Sequence, residues 1–219
     1  MLVACWSVKG GSGTSVVAAS LALVAARRRP SLLVDLGGDS AAILGVAEPV
    51  SGVWAWLGSV SAPAAALSRL EVDAAPGLRL LPAGPPPGAE DGDRGALFAA
   101  LLGADTRTVI VDVGRLGNGA GGAESVRARI AAAAPVSLLV LRPCYLALRR
   151  AVTAAIRPSA VVLVSEPGRA LGRSDVEHVL GVPVRAEITV DPAVSRAVDA
   201  GLLATRLPRA LERALRDAA

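Results

Sequence analysis

The feature that most restricts the fold is an alternation. Largely apolar runs of strand length (Leu2 to Val8, Ser31 to Leu36, Leu78 to Leu81, Thr106 to Val113, Val136 to Leu141, Ala160 to Val164 and Val182 to Ile188) are separated by runs of helical composition rich in alanine and leucine. A strand that is apolar on both sides must be covered on both sides, and joining such strands in parallel requires a crossover, which the helical runs provide. The sequence therefore predicts an α/β protein with a doubly wound, mostly parallel sheet and helices on both faces. It predicts a single domain over residues 1–219. With 53% hydrophobic residues, a chain of this length can bury a sizeable core.

One junction in this alternation carries chemistry. Val8 to Ser15 reads V-K-G-G-S-G-T-S, between the first apolar run and a helical run from Ser15 to Arg27 that Pro30 stops. A strand that ends in a glycine-rich turn and opens a helix aims several backbone N–H groups, and the positive end of the helix dipole, at one spot. That arrangement suits a phosphate. Gly10, Gly11 and Gly13 allow the tight turn and a close approach of backbone to ligand. Ser12 and Thr14 complete the loop, and Ser15 falls where a P-loop hydroxyl would hold Mg²⁺. Of the 23 basic residues only Lys9 is a lysine. A surface that has gone over to arginine keeps its one compact, rotatable ammonium in this loop, which favours a phosphate contact.

Composition narrows the function classes. Trp6, Trp54, Trp56, Phe98 and Tyr145 are the only aromatic residues, too few for a stacking platform on single-stranded nucleic acid. The net charge of +4 is spread along the chain, so it permits attraction to DNA or to an anionic membrane surface without demonstrating either. Two cysteines, Cys5 and Cys144, and one histidine, His178, cannot build a zinc cluster. Reduced thiols in apolar surroundings point to a cytoplasmic protein. The longest apolar run, Ile130 to Leu141, is short and interrupted by Pro135, so no membrane-spanning segment is predicted. Trp54 and Trp56, two residues apart, do not share a helical face, so at least one is expected at the surface or at a contact. Pro82 to Asp93, rich in proline and acid, reads as a mobile surface loop.

The stretch K-G-G-S-G-T-S resembles the deviant Walker A loop of the ParA/MinD family, K-G-G-x-G-K-[ST]. The resemblance implies that Lys9 reaches across a homodimer to the nucleotide of the other subunit. The family's second lysine, which lies over the β- and γ-phosphates, is Thr14 here. The strand ending V-D-L-G-G-D is similar to the family's D-x-D: Asp35 matches the aspartate near Mg²⁺, Gly37 replaces the one that positions the attacking water, and Asp39 follows two residues later. Asp39 is either a displaced substitute or the cap of a helix from Ser40, and Asp35 on the bland reading is a turn or cap residue. Asp112, at the end of T-R-T-V-I-V-D-V, matches the Walker B aspartate near the metal, and Gly114 to Gly122 falls at the family's phosphate-sensing switch. The stretch V-L-R-P-C-Y-L-A-L (residues 140–148) looks like the family's at this point. Ser165 stands where an asparagine commonly reads adenine, and Asp191-Pro192 begins a helix after the base-side loop.

The resemblance implies ATP and Mg²⁺ as ligands and an ATP-dependent dimerising switch. Such switches act in chromosome or plasmid segregation, division-site placement or pilus assembly, with a protein cargo or activator. Thr14 and Gly37 leave open a weak ATPase on one side and a non-hydrolysing pseudo-ATPase adaptor of the same fold on the other. Nonspecific DNA binding is a third class. The C-terminal run from Arg206 to Ala218 sets Leu207, Leu211 and Leu215 on one helical face, and without an aromatic wedge it is read as packing on the domain and not as a membrane anchor.

Overall fold

The structure is a computed structural model that describes all residues except 48, 86–93, 118–121, 217 and 219. The acidic half of the proline-rich loop and the centre of the glycine-rich segment after Asp112 lie outside the described residues.

In chain order the elements are β1 (Leu2–Ser7), α1 (Thr14–Ala26), β2 (Ser31–Asp35), α2 (Ser40–Leu44), α3 (Val53–Leu57), α4 (Ala66–Arg69), β3 (Val72–Ala75) and β4 (Leu78–Leu81). There follow α5 (Arg94–Ala104), β5 (Thr108–Arg115), α6 (Gly122–Ala133), β6 (Val136–Leu141), α7 (Tyr145–Val152), β7 (Ala160–Ser165), α8 (Arg173–Leu180), β8 (Val184–Thr189), α9 (Pro192–Asp199) and α10 (Arg209–Leu215). The strands form one eight-stranded sheet in the order β3-β4-β2-β5-β1-β6-β7-β8. Every pairing is parallel except that of β3 with β4. The predicted doubly wound sheet is therefore present.

Burial follows the pleat. Leu2, Ala4 and Trp6 of β1 belong to a core layer with α3, α5, α6, α7 and α8. Val3 and Cys5 belong to the opposite layer, with α1, α2, α9 and α10. Successive side chains of a strand point to opposite faces, so a strand buried in both layers must be largely apolar, as β1 is from Leu2 to Trp6. Aliphatic side chains fill both layers, and the indole N–H of Trp6 is satisfied inside by the hydroxyl of Ser137 at 2.9 Å.

β3 is absent from the sequence reading. It is four residues long, V-D-A-A, with no fully buried position, so it carries neither an apolar run nor a clean alternation. Charged groups line this margin: Arg79 meets Asp73 at 2.7 Å, and Arg107 meets Glu71 at 2.8 Å and Asp105 at 2.7 Å. At the other margin β8 alternates strictly, with Arg185, Glu187 and Thr189 exposed.

The expectation for the tryptophan pair is overturned, because Trp54 and Trp56 are 3% and 2% exposed. The short helix α3 is wedged into the core, with only Ala55 of its five residues outward. Trp56 packs on Phe98 with ring centroids 6.0 Å apart, lies under the Arg94 guanidinium at 4.0 Å, and donates to the Pro63 carbonyl at 3.0 Å. A helix embedded on nearly all sides buries residues that face in different directions, which spacing alone does not reveal.

The C-terminal helix lies on the domain. Leu211 and Leu215 of α10 are buried in the α1-side layer, and Glu212 pairs with Arg27 at the end of α1. The helix opens after Pro208, which cannot sit in a helix interior, so it starts later than the leucine periodicity suggests. Cys5 is fully buried and Cys144 half-buried, both as free thiols, and His178 is an exposed residue of α8. No helix among the described residues is long and apolar enough to cross a membrane.

Candidate functional site

β1 lies inside the sheet between β5 and β6, and the chain leaves it through the glycine loop at the carboxyl edge. In open α/β sheets this edge is where ligands bind. Gly11 and Gly13 adopt φ of 74° and 85°, the left-handed region that a side chain disfavours. Gly10 has no such backbone requirement, and a Cβ there would meet no protein atom within 4 Å. The space above all three glycines is open, as a cradle for a ligand requires. The loop is braced from within: Ser12, itself buried, donates its hydroxyl to the Lys9 carbonyl at 2.8 Å. Gly13 precedes α1 and its carbonyl accepts from Val17 N–H at 2.9 Å, so the free amides of the first turn face the same opening. Thr14 is 7% exposed, tucked in where a lysine would have to project. Lys9 is half-buried at the start of the loop.

Two carboxylates meet beneath this loop. Asp35 pairs in register with Asp112 across β2 and β5, and Cys5 of β1 is the register partner of Asp112 on the other side. In parallel register the three side chains share the α1 face. Asp35 is tied into its own turn: Oδ1 accepts from Gly37 N–H at 2.9 Å and Gly38 N–H at 2.7 Å, and Oδ2 from Ser40 N–H at 2.9 Å. Burial still raises its pKa, with the three amides and the charge of Asp39 modifying the outcome. Asp35 thereby caps α2, the bland reading of this residue. Asp39, at the position before α2, makes no side-chain cap bond, and its exposed carboxylate faces the cavity.

Asp112 differs. It is wholly buried; Oδ1 accepts from Gly114 N–H at 3.0 Å, while Oδ2 is buried without a hydrogen-bond partner among the described residues. Burial, then the negative charge of Asp35, push its pKa up to about 7, and the nearby Ser15 hydroxyl and the Gly114 amide pull the other way. The same burial raises the Cys5 thiol far above its ordinary value, so Cys5 is an inert core residue. A buried carboxylate oxygen with no donor is costly unless a cation or a donor reaches it. Gly37 explains itself through this oxygen, because a Cβ at Gly37 would stand 2.9 Å from Asp112 Oδ2. With Asp112 in this position a side chain at Gly37 would require the Asp112 carboxylate to shift.

Around these groups lies a cavity of about 640 Å³ lined by the loop from Gly10 to Val16, by Gly37 and Asp39, and by Gly114, Arg115, Glu124 and Arg127. That volume is of ligand size. Arg127, of α6, has no spacing motif and was missed by sequence reasoning. Beside the loop a smaller cavity of about 160 Å³ shares Gly11 to Gly13 and Val16 with the first and is walled by Val164, Ile188, Val190, Asp191 and Leu211. Asp191 is the N-cap of α9, accepting from Ala193 N–H at 2.7 Å. Ser165 ends β7 and its carbonyl accepts from Val190 N–H at 2.9 Å; Val164, not Ser165, lines this cavity. Gly10 to Ser15 and Asp39 thus line one cavity, Asp35 and Asp112 lie buried next to it, Lys9 lines neither cavity, and Asp191 borders the annex.

No known protein family and no curated protein matches this sequence. Solved structures do. The cell division ATPase MinD of Pyrococcus furiosus is 19% identical and superposes with a TM-score of 0.76 over 99% of this chain and 97% of its own. MinD of Pyrococcus horikoshii, complexed with Mg-ADP, is 18% identical, with a TM-score of 0.75 over 99% of this chain and 94% of its own. A ParA family ATPase of Chlorobium tepidum is 19% identical, with a TM-score of 0.70 over 99% and 97%. The chain has the fold of the ParA/MinD-like P-loop NTPases.

Proposed function

We propose that this protein is a nucleotide-dependent switch of the ParA/MinD type, which binds ATP with Mg²⁺ and pairs with a second copy of itself when loaded. The observation that carries the reading is the buried Oδ2 of Asp112, without a hydrogen-bond partner among the described residues, at the foot of an open glycine loop and beside the Ser15 hydroxyl. A divalent cation is the group that such an oxygen lacks, and an anionic phosphate is what the loop amides lack. Among the residues present, Ser15 and Asp112 would hold Mg²⁺, with Asp35 ordering the adjacent turn, and the ion would neutralise phosphate charge. The amides of Gly10 to Ser15 would take the phosphates, Lys9 would reach the partner copy's nucleotide, and the small cavity by Asp191 would take the base, with Ser165 at its margin. The Mg-ADP complex of the similarly folded MinD supports this choice of ligand.

A specific observation favours a second reading, a non-hydrolysing adaptor. Gly37 has no side chain to orient a water, a Cβ there would crowd the Asp112 carboxylate, and Thr14 lies buried where a second lysine would stand. Losses of this kind lower rates by about a hundredfold or more. The positioning role, whether of DNA, a division-site component or a pilus base, rests on the fold likeness and the kind of process such switches serve.

The test is equilibrium binding of Mg-ATP and Mg-ADP, with light scattering for mass. Micromolar binding and a shift to dimer with ATP, lost in Lys9→Ala, supports the switch. Dimerisation without phosphate release selects the adaptor, and absence of binding to either nucleotide refutes both.

A further inference from the structure

Arg127 occupies the nucleotide cavity in a way that the fold of the loop does not require. It projects from α6, on the opposite face of the sheet from α1, and its guanidinium is held over the end of β2: Nε donates to the Leu36 carbonyl at 3.1 Å and Nη2 donates to the same oxygen. The Trp54 ring lies beneath it, 5.3 Å from centroid to guanidinium carbon. Leu36 immediately precedes Gly37, so the cation sits beside the place where the side chain is missing.

Arg94 provides an internal comparison. It too lies on a tryptophan, Trp56, and donates to carbonyls, but through both terminal nitrogens, to Ser59 at 2.7 Å and Ala62 at 2.6 Å. Arg94 is accounted for as a brace between α3 and α5. Arg127 is fastened by one edge only. Its Nη1 has no acceptor and its charge no carboxylate partner among the described residues, and it lines the cavity that holds the loop. A guanidinium fixed by one edge and stacked on an aromatic ring presents its free N–H groups in a set direction with little entropy left to lose on binding. Arg115 lines the same cavity but is exposed, with no comparable anchor.

We propose that Arg127 is a phosphate-contacting residue that provides, from α6, the positive charge at the terminal phosphate that Thr14 withholds from the loop. The ligand it distinguishes is a nucleoside triphosphate over a diphosphate. This rests on the nucleotide reading of the site. A charge-assisted bond from guanidinium to phosphate corresponds to a factor of about 10 to 100 in affinity.

The experiment compares Mg-ATP and Mg-ADP dissociation constants for the wild type, Arg127→Met, which keeps an apolar stem on Trp54, and Arg127→Lys, which keeps the charge. Thermal melting of each checks the fold. The expected result is that Arg127→Met weakens ATP at least about tenfold and leaves ADP within about twofold, with Arg127→Lys between. Equal losses for both nucleotides, or none, in a variant that melts like the wild type would overturn the assignment while leaving the nucleotide site intact. A wild type that binds neither nucleotide removes the site reading and this assignment together. Should Arg127→Met melt early, Arg127→Lys decides: a loss of ATP affinity of a few-fold with ADP unchanged supports the contact, and equal losses for both nucleotides, or none, refute it.

Discussion

Asp112→Asn is the most informative single change, because the structure fixes both its sign and its pH dependence. In the ligand-free protein Asp112 is driven from the ordinary aspartate value of 3.8 up to about 7, chiefly by burial. Below pH 4 the carboxyl is protonated in both the folded and unfolded chain and costs nothing. Between pH 4 and pH 7 the unfolded chain releases a proton that the folded chain retains, so the fold loses stability as pH rises; above pH 7 the whole penalty is present. The span corresponds to a limit of about 4 kcal/mol. Asparagine has the same shape, keeps an acceptor for Gly114 N–H and never ionises. Whatever constant offset it introduces by leaving an amide donor near Gly37, the stability difference between variant and wild type should move in favour of the variant by about 2–4 kcal/mol from pH 4 to pH 8. Urea unfolding of both proteins in EDTA, without nucleotide, at a series of pH values measures this. Groups such as Asp105, whose pKa the Arg107 guanidinium lowers and which therefore stabilises above pH 4, cancel in the difference. A difference that is flat in pH, or that moves against the variant, would show that Asp112 is solvated or already compensated, and the case for a missing cation would fall with it.

Two further outcomes test the packing around the site. Gly37→Ala places a methyl 2.9 Å from Asp112 Oδ2 and should destabilise by about 1–3 kcal/mol in urea; the cost should vanish in an Asp112→Ala background, where the clashing atom is gone. Leu215→Ala, at a fully buried position of α10, should cost about 2–5 kcal/mol, whereas Arg27→Ala, whose partner Glu212 lies on the same helix but whose own side chain is 55% exposed, should change stability by no more than about 0.5 kcal/mol; melting of the two variants would show whether burial or the ion pair fastens the C-terminal helix.

What could be read in the residues was what depends on local order. Parallel strands buried on two faces leave long apolar runs, a phosphate loop needs its glycines in one short stretch, and Asp112 stands out as a charge closing an apolar strand. What depends on neighbours distant in the chain was not legible. Asp35 could be placed near the site, but its three amide partners are set by the turn geometry. The crowding at Gly37 comes from a residue 75 positions later, through the pairing of β2 with β5. Arg127 bonds a carbonyl 91 positions away and obeys no spacing rule. The two tryptophans were misjudged for the same reason: a five-residue helix has no periodicity to read, and its burial is decided by α5 and α6 closing over it.

The margins of the sheet bear on how copies of this chain can meet. Strand β3 runs against its neighbour and is dressed with arginine and aspartate, and β8 exposes Arg185 and Glu187 among its alternate residues. A foreign strand laid along either border would have to strip water from those ions, so growth by lateral annealing is discouraged.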